Sequence, residues 1–141
     1  MTTDIFTVRP DDPVELVADL MSWERIRYVP VEDDKGRLVG LVSQRVVLRH
    51  MTDLAKRSRD AGAESVPVAD IMRRELITVT PDTRTLDATA LMQKHRIGCL
   101  PVVQDGHIVA VLTEEDFVGI ASKVLAADGD APSMPPPPPD P

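Results

Sequence analysis

The apolar positions of this chain follow helical and extended patterns in alternation, and the same order of patterns occurs twice. Apolar side chains recur at helical spacing across residues 14–21, and two short runs of strand length follow. A turn with glycine separates the members of each pair of runs, as in a hairpin. The predicted strands cover residues 28–31, 38–42, 97–103 and 108–112, and the predicted helices cover residues 13–23, 44–59, 83–94 and 113–127, with a short helical segment at 68–72.

The two halves match residue by residue, with an offset of 71 that becomes 70 after one extra residue near Lys35. Gly36 then matches Gly106, and Ser43 matches Thr113. The residues that repeat at the first offset are Val8, Pro10, Asp11, Leu20, Met21, Arg25, Ile26, Pro30 and Val31, which match Val79, Pro81, Asp82, Leu91, Met92, Arg96, Ile97, Pro101 and Val102. The chain is therefore two copies of one unit.

The repeat predicts a first unit at residues 1–60 and a second unit at 61–127, whose short lead-in helix starts at about residue 66. Residues 128–141 are rich in proline and predict a disordered tail. Nothing before Met1 matches the lead-in segment. Either the chain is a piece of a longer protein, which we favour, or the last helix of the second unit serves both ends.

Local signals predict how the first helix begins and ends. Asp12 is expected to be the N-cap, with Pro13 in the first helical position. Trp23 closes the helix, and a single tryptophan at a helix end is expected to pack under a neighbouring element.

Composition limits the class of protein. Of the 141 residues, 43% are hydrophobic and only 3% are aromatic, so aliphatic side chains must fill the core. No apolar run approaches the roughly 18 residues of a membrane span, and the N-terminus lacks the features of a secretory signal. The single cysteine allows no internal disulfide, which is typical of a reducing compartment. We expect a cytoplasmic protein without a membrane segment.

The charge is unevenly distributed. The formal net charge is −7, and residues 1–59 contain ten acidic and ten basic residues, so the whole excess lies in the second half. Binding to duplex nucleic acid needs clustered Lys and Arg, and this distribution disfavours it.

A search for catalytic groups finds little. His50, His95 and His107 have no cysteine or carboxylate at metal-ligand spacing, so no metal site is predicted. Cys99 lies in an apolar run without a neighbouring histidine, which favours a buried structural thiol. Neither a P-loop nor a dinucleotide-binding glycine motif is present. We expect no enzymatic activity and no cofactor.

The segment from Asp105 to Asp116 combines a tight turn, an apolar strand and a helix start at Thr113. A strand that leads directly into a helix N-terminus presents backbone N–H groups and the positive end of the helix dipole, which suits a phosphate. The same T-x-x-D pattern also predicts a simple capping box that needs no ligand. From the residues alone, both interpretations stay open.

Taken together, these motifs resemble a tandem pair of cystathionine-β-synthase (CBS) domains over residues 1 to about 122. The motifs are the Ile77–Asp82 opening, the Ile97–Val103 strand and the Gly106–Asp116 segment, and the first unit repeats each of them. The resemblance implies an α/β (α+β) fold of two β-α-β-β-α units, packed with pseudo-twofold symmetry through their sheets. It also implies a regulatory module that binds AMP, ADP or ATP in clefts between the units.

The resemblance implies a nucleotide-binding set in the second unit. Asp116 would accept the ribose hydroxyls, Thr113 would contact phosphate, and Gly98 would let the base approach the backbone. The expected nucleotide-binding residues are Thr78, Val79, Ile97, Gly98, Cys99, Pro101, Thr113 and Asp116.

The first unit departs from the family pattern. Val46 stands where the aspartate belongs, and unpaired ribose hydroxyls cost roughly 1–3 kcal/mol. Arg27 replaces the glycine, and it could instead reach a phosphate in the other cleft. We therefore expect a second, degenerate cleft, with Arg27, Tyr28, Pro30 and Ser43 as its residues.

The sequence thus favours a non-catalytic module that senses adenosine nucleotides, forms a homodimer through its helices and signals to an unidentified protein. Two alternatives remain open at this point: a dimerisation or scaffold module without a ligand, and a regulatory fragment of a larger enzyme or transporter.

Overall fold

The computed structural model describes residue 3, residues 5–57 and residues 65–116. The elements are α1 (Val14–Glu24), β1 (Tyr28–Glu32), β2 (Leu38–Ser43), α2 (Gln44–Arg57), a one-turn 3-10 helix (Val68–Asp70), α3 (Thr85–His95), β3 (Cys99–Gln104) and β4 (His107–Thr113). Their order confirms the predicted fold class of mixed helices and strands. The predicted tail at 128–141 and most of the predicted last helix lie outside the described residues.

Each unit contains one antiparallel hairpin, and the two registers are equivalent. Tyr28 lies opposite Ser43 in the β1–β2 pair, and Cys99 lies opposite Thr113 in the β3–β4 pair. An extended residue before each helix adds a short parallel bridge to the hairpin, from Val8 to Val31 and from Val79 to Val102. These are the positions that the sequence repeat pairs, so both units have the same backbone plan.

The turns of the two hairpins contact each other. Gly36 and Gly106 have positive φ angles of 76° and 82°, which glycine adopts without steric cost. The N–H of Leu38 donates to the Gly106 carbonyl oxygen at 3.1 Å. His107 Nδ1 lies 2.7 Å from the Gly36 carbonyl oxygen, which accepts its hydrogen bond. The tips of the two hairpins are therefore joined directly.

Helices α1 and α3 end alike, each on an arginine in the left-handed conformation. Arg25 has φ 54° and Arg96 has φ 53°, and their N–H groups bond to the carbonyl oxygens of Met21 and Met92. Glycine or asparagine usually holds this position. An arginine here closes the helix and also places a cation near the start of the strand that follows.

Two expectations for α1 were wrong. Pro13, with extended backbone angles, holds the N-cap position, so the helix begins one residue later than predicted. Asp12 makes no cap to the helix, and its Oδ2 instead accepts the Arg9 N–H at 2.8 Å. The side chain of Trp23 is 68% exposed, so it does not pack under a neighbouring element.

Aliphatic side chains form two buried clusters, one in each unit. The first contains Val8, Val14, Val17, Met21, Val29, Val31, Val42, Val47, Val68 and Met72. The second contains Val79, Ala88, Met92, Leu100, Val102, Ala110 and Leu112. As the composition requires, none of these side chains is aromatic.

The lead-in segment at residues 66–73 packs on the core of the first unit. Val68 and Met72 are buried there, and the Val14 N–H donates to the Val66 carbonyl oxygen at 3.0 Å. Arg73 and Leu41 exchange two backbone hydrogen bonds, of 3.0 and 2.9 Å, at the edge of β2. The chain therefore crosses from the second unit to complete the first.

Candidate functional site

Two clefts open between the units, and each is lined by residues of both. The first, which we call the Thr113 cleft, has a volume of about 200 Å³. The second, which we call the Ser43 cleft, has a volume of about 290 Å³. The first unit contributes Ile5, Phe6, Ile26, Arg27, Tyr28 and Pro30 to the Thr113 cleft. The second unit contributes the equivalent residues Leu76, Ile77, Ile97, Gly98, Cys99 and Pro101 to the Ser43 cleft.

The structure divides the predicted nucleotide-binding set between these clefts. The sequence prediction grouped Thr113 with the strand residues of its own unit. In the structure, Ile97, Cys99 and Pro101 line the Ser43 cleft, and Gly98 lines both clefts. The reason is an exchange between units: the helix start of one unit faces the strand start of the other.

The residues predicted for a degenerate cleft are divided in the same way. Arg27, Tyr28 and Pro30 lie in the Thr113 cleft, whereas Ser43 lies in the other one. Tyr28 lines both clefts. The placement of Arg27 matches the expectation that it reaches the cleft across from its own unit.

Three members of the predicted set, Thr78, Val79 and Asp116, line neither cleft, although Asp116 is hydrogen-bonded to Thr113, which lines one. Thr78 is exposed, and Val79 is buried in the second core, where its backbone bonds to β3 at Pro101 and Val103. The cleft is lined instead by the residues just before them, Leu76 and Ile77.

Thr113 and Asp116 form a capping box at the helix start that follows β4. The Thr113 N–H donates to Asp116 Oδ2 at 2.8 Å, and the Thr113 hydroxyl donates to the same oxygen at 3.3 Å. Partial burial alone would raise the pKa of Asp116, but its hydrogen bonds, those from Thr113 among them, outweigh burial and lower it. The carboxylate is therefore ionised at neutral pH and held beside the cleft.

At the equivalent place in the first unit only the hydroxyl is kept. Ser43 Oγ accepts the Val46 N–H at 3.3 Å, as an N-cap should. Val46 itself lines the Ser43 cleft with an apolar surface. This cleft thus has no carboxylate at the position that Asp116 takes in the second unit.

Gly98 and Tyr28 meet where the two clefts adjoin. A Cβ atom added at Gly98 would overlap the Tyr28 hydroxyl and lie 3.2 Å from Glu114 Oε1. Burial first, and then the charges of Cys99 and Glu114, raise the pKa of Tyr28, so its phenol stays protonated. The absence of a side chain at Gly98 therefore makes room for Tyr28 of the other unit. The sequence analysis assigned Tyr28 to the second cleft but did not predict this contact.

Both clefts also contain arginines that the prediction did not assign, which are Arg25 in the Thr113 cleft and Arg45, Arg73 and Arg96 in the Ser43 cleft. Arg25 and Arg27 line the Thr113 cleft, and Arg27 Nη2 lies 3.8 Å from Glu115 Oε1. Both partners of this ion pair are largely exposed, so it contributes little to stability. The matched positions of Arg25 and Arg96 in the repeat were the signal that could have identified one cation for each cleft.

Cys99 is expected to react only when the protein unfolds. Burial, and to a lesser extent the Asp116 carboxylate, raise the pKa of Cys99 to about 12, so almost no thiolate exists at pH 8. A thiol reagent such as Ellman's reagent should label the folded protein slowly, at least about tenfold slower than protein in guanidinium chloride. Because the chain has one cysteine, the labelling is unambiguous. Equal rates in both states would contradict the buried placement.

The described residues limit other classes of site. In the parts of the chain that the structure describes, no helix has the length and apolarity to cross a bilayer. Within the same residues, no three side chains of His, Cys, Asp and Glu are grouped as metal ligands would be.

Comparison with known proteins gives one consistent family. The family model of the CBS domain matches residues 1–53 and 68–123. The chain is 31% identical over 118 residues to the CBS domain-containing protein YhcV of Bacillus subtilis, which covers 83% of this chain and 79% of YhcV. It is 32% identical over 117 residues to inosine-5'-monophosphate dehydrogenase of Thermoplasma acidophilum, covering 82% of this chain but only 21% of that enzyme.

Two solved structures have the same fold. The AcuB protein of Vibrio cholerae matches with a TM-score of 0.79 and 31% identity, over 92% of this chain and 93% of AcuB. The structure of CBSX2 in complex with AMP matches with a TM-score of 0.73 and 28% identity, over 88% of this chain and 93% of that one.

Proposed function

Because the chain belongs to the CBS domain family and contains two such domains in tandem, we propose that it is a non-catalytic regulatory module which binds an adenosine nucleotide in the Thr113 cleft. The observation that carries this proposal is the Thr113–Asp116 pair. It places a hydroxyl and an ionised carboxylate beside a cleft that also contains two arginines.

The cleft offers a different kind of contact to each part of a nucleotide. Phe6, Ile26 and Pro30 supply apolar surface for the base. Arg25 and Arg27 supply cations for phosphate. Among the described residues, the Arg27 guanidinium makes only an exposed ion pair, which a phosphate can replace. The Asp116 carboxylate accepts hydrogen bonds only, as recognition of ribose hydroxyls requires.

Binding at the capping box requires the Thr113 hydroxyl to exchange its hydrogen-bond partner. The Thr113 hydroxyl now donates to Asp116 at 3.3 Å, which is a long and therefore weak bond. Rotation of the hydroxyl toward a phosphate leaves the backbone bond from Thr113 to Asp116 intact, at 2.8 Å. The capping box and the ligand site can therefore use the same two residues.

The relatives support a regulatory role. The CBSX2 structure contains AMP in a chain of the same fold. The match to inosine-5'-monophosphate dehydrogenase covers a small part of a much longer enzyme. We accordingly propose that the nucleotide acts on a partner, by favouring the arrangement of the two units to which it binds more tightly.

Titration calorimetry and thermal unfolding with AMP, ADP and ATP test the proposal. We expect saturable binding that stabilises the fold by about 2.7 kcal/mol at a hundredfold excess over the dissociation constant. Thr113→Val keeps the β-branched shape but removes the hydroxyl, and should weaken binding by roughly tenfold or more. Ser43→Ala is the matched control, since it removes the equivalent cap hydroxyl from the other cleft and should leave nucleotide affinity unchanged.

A dimerisation module without a ligand is the second candidate. Trp23, Leu48 and Leu86 are exposed on α1, α2 and α3, at 68%, 59% and 78%. Exposed apolar side chains on the helices favour an interface between copies of the chain. Absence of nucleotide binding together with a dimer in analytical ultracentrifugation would support this candidate and reject nucleotide sensing.

A further inference from the structure

The Ser43 cleft is lined by more positive than negative charge, in a chain whose net charge is −7. Arg45, Arg73 and Arg96 line it, against the single carboxylate of Glu75. In the Thr113 cleft, by contrast, two arginines face two glutamates. The two clefts therefore differ in the charge that they offer a ligand.

The three arginines come from three separate elements, and their backbones are fixed independently. Arg73 is held by its two backbone hydrogen bonds with Leu41. Arg96 is held in the left-handed turn that ends α3. Arg45 lies in the first turn of α2, where a cation is unfavourable for the helix dipole unless an anion is bound nearby.

None of these three guanidinium groups has an ion-pair or hydrogen-bond partner among the described residues. Elsewhere in the same part of the chain, Arg9 and Arg74 donate to backbone carbonyl oxygens, and Arg27 pairs with Glu115. Three unpaired guanidinium groups around one cavity of about 290 Å³ repel one another and attract a multiply charged anion.

The same cleft lacks the group that would recognise a sugar. Val46 lines it at the position equivalent to Asp116, and a valine side chain accepts no hydrogen bond. The Ser43 oxygen already accepts the Val46 N–H as the N-cap of α2, so the hydroxyl has its proton to donate to a ligand but does not replace an acceptor-only carboxylate. A ligand of this cleft is therefore selected by its charge and not by ribose hydroxyls.

We propose that the Ser43 cleft is a separate binding site for a small compound with several phosphate groups, which binds without ribose recognition. The three guanidinium groups form charge-assisted hydrogen bonds to the phosphate oxygens. This site does not depend on nucleotide binding in the Thr113 cleft, because the two clefts use different cations.

Calorimetry with tripolyphosphate as the probe tests this assignment on the full chain. We expect one saturable site whose affinity falls as salt is raised. Arg45→Gln should weaken binding by about tenfold, and Arg45→Gln/Arg73→Gln by about a hundredfold. Arg49→Gln is the matched control: it removes the same charge one turn further along α2, from an exposed arginine that does not line the cleft, and should change the affinity by less than about twofold.

The outcomes separate this proposal from nucleotide binding. Equal losses in Arg45→Gln and Arg49→Gln would show diffuse attraction and overturn the site, as would the absence of any binding in the wild-type chain. A loss in Thr113→Val as large as that in Arg45→Gln would place the anion in the other cleft and also overturn it. Binding of tripolyphosphate that adenosine does not displace, in a chain that fails to bind AMP, would support this site and reject only the nucleotide proposal.

Discussion

Replacement of Leu100 by alanine is expected to lower the free energy of unfolding by about 3–4 kcal/mol. Leu100 is fully buried in β3, opposite Leu112, and it belongs to the smaller of the two cores. Strands on a paired hairpin cannot move in to fill the space, so the substitution leaves a cavity in addition to the lost burial. Urea denaturation followed by circular dichroism measures the change.

Leu86→Ala provides the matched control, since it makes the same chemical change on α3 at a side chain that is 78% exposed. Its cost should stay within about 0.5 kcal/mol, because a largely exposed leucine loses little burial. Similar losses in the two variants would contradict the placement of Leu100 in the second core.

Gly40→Ala is expected to cost about 1–3 kcal/mol, the range for overpacking of a core. Gly40 lies in β2, and its φ angle is not positive, so the cost is one of space and not of backbone conformation. An added Cβ would overlap Met72 Sδ and lie 2.9 Å from Met72 Cγ. Met72 then has to leave its place in the first core or push the lead-in segment away from β2.

A double-mutant cycle identifies the cause. If Met72 is responsible, Gly40→Ala/Met72→Ala should cost less than the sum of the two single variants, by at least about 0.5 kcal/mol. Ala110 holds the equivalent position in β4. It lies opposite Val102, as Gly40 lies opposite Val31, and it already carries a Cβ atom. Additive costs in the cycle would show that the lead-in segment does not restrict Gly40.

The repeat was sufficient to predict the backbone plan of both units. The offset that pairs Val8 with Val79 also pairs the two parallel bridges, and the change of offset near Lys35 aligns Ser43 with Thr113 across both hairpins. These features depend on local periodicity and turn residues, which a single sequence displays directly.

The assignment of residues to each cleft could not be predicted from local patterns in the same way. The predicted hairpin of the second unit brings Thr113 close to Gly98. The two are close in the structure, because β3 and β4 are paired. Which strand start faces the Thr113 hydroxyl depends on how the units pack, and no local pattern encodes that packing. The sequence therefore predicted nine of the residues that line the two clefts but grouped them by unit.

The contact between Tyr28 and Gly98 has no sequence signal, although Tyr28 itself was predicted for the second cleft. Nothing near Gly98 in the chain indicates that its missing side chain makes room for a phenol from residue 28. A similar limit applies to Trp23, because tryptophan is buried in most folds and only the packed structure shows that here it lies outside.

The crossing of the lead-in segment sets the order in which the molecule can be completed as it is synthesised. When residue 60 leaves the ribosome, both strands of the first hairpin are outside, but Val68 and Met72 are still inside the exit tunnel. Val14 and Val17 cannot pack against Val68 and Met72 until residue 72 has also emerged. The core of the first unit is therefore shielded from water only after the lead-in segment has packed on it.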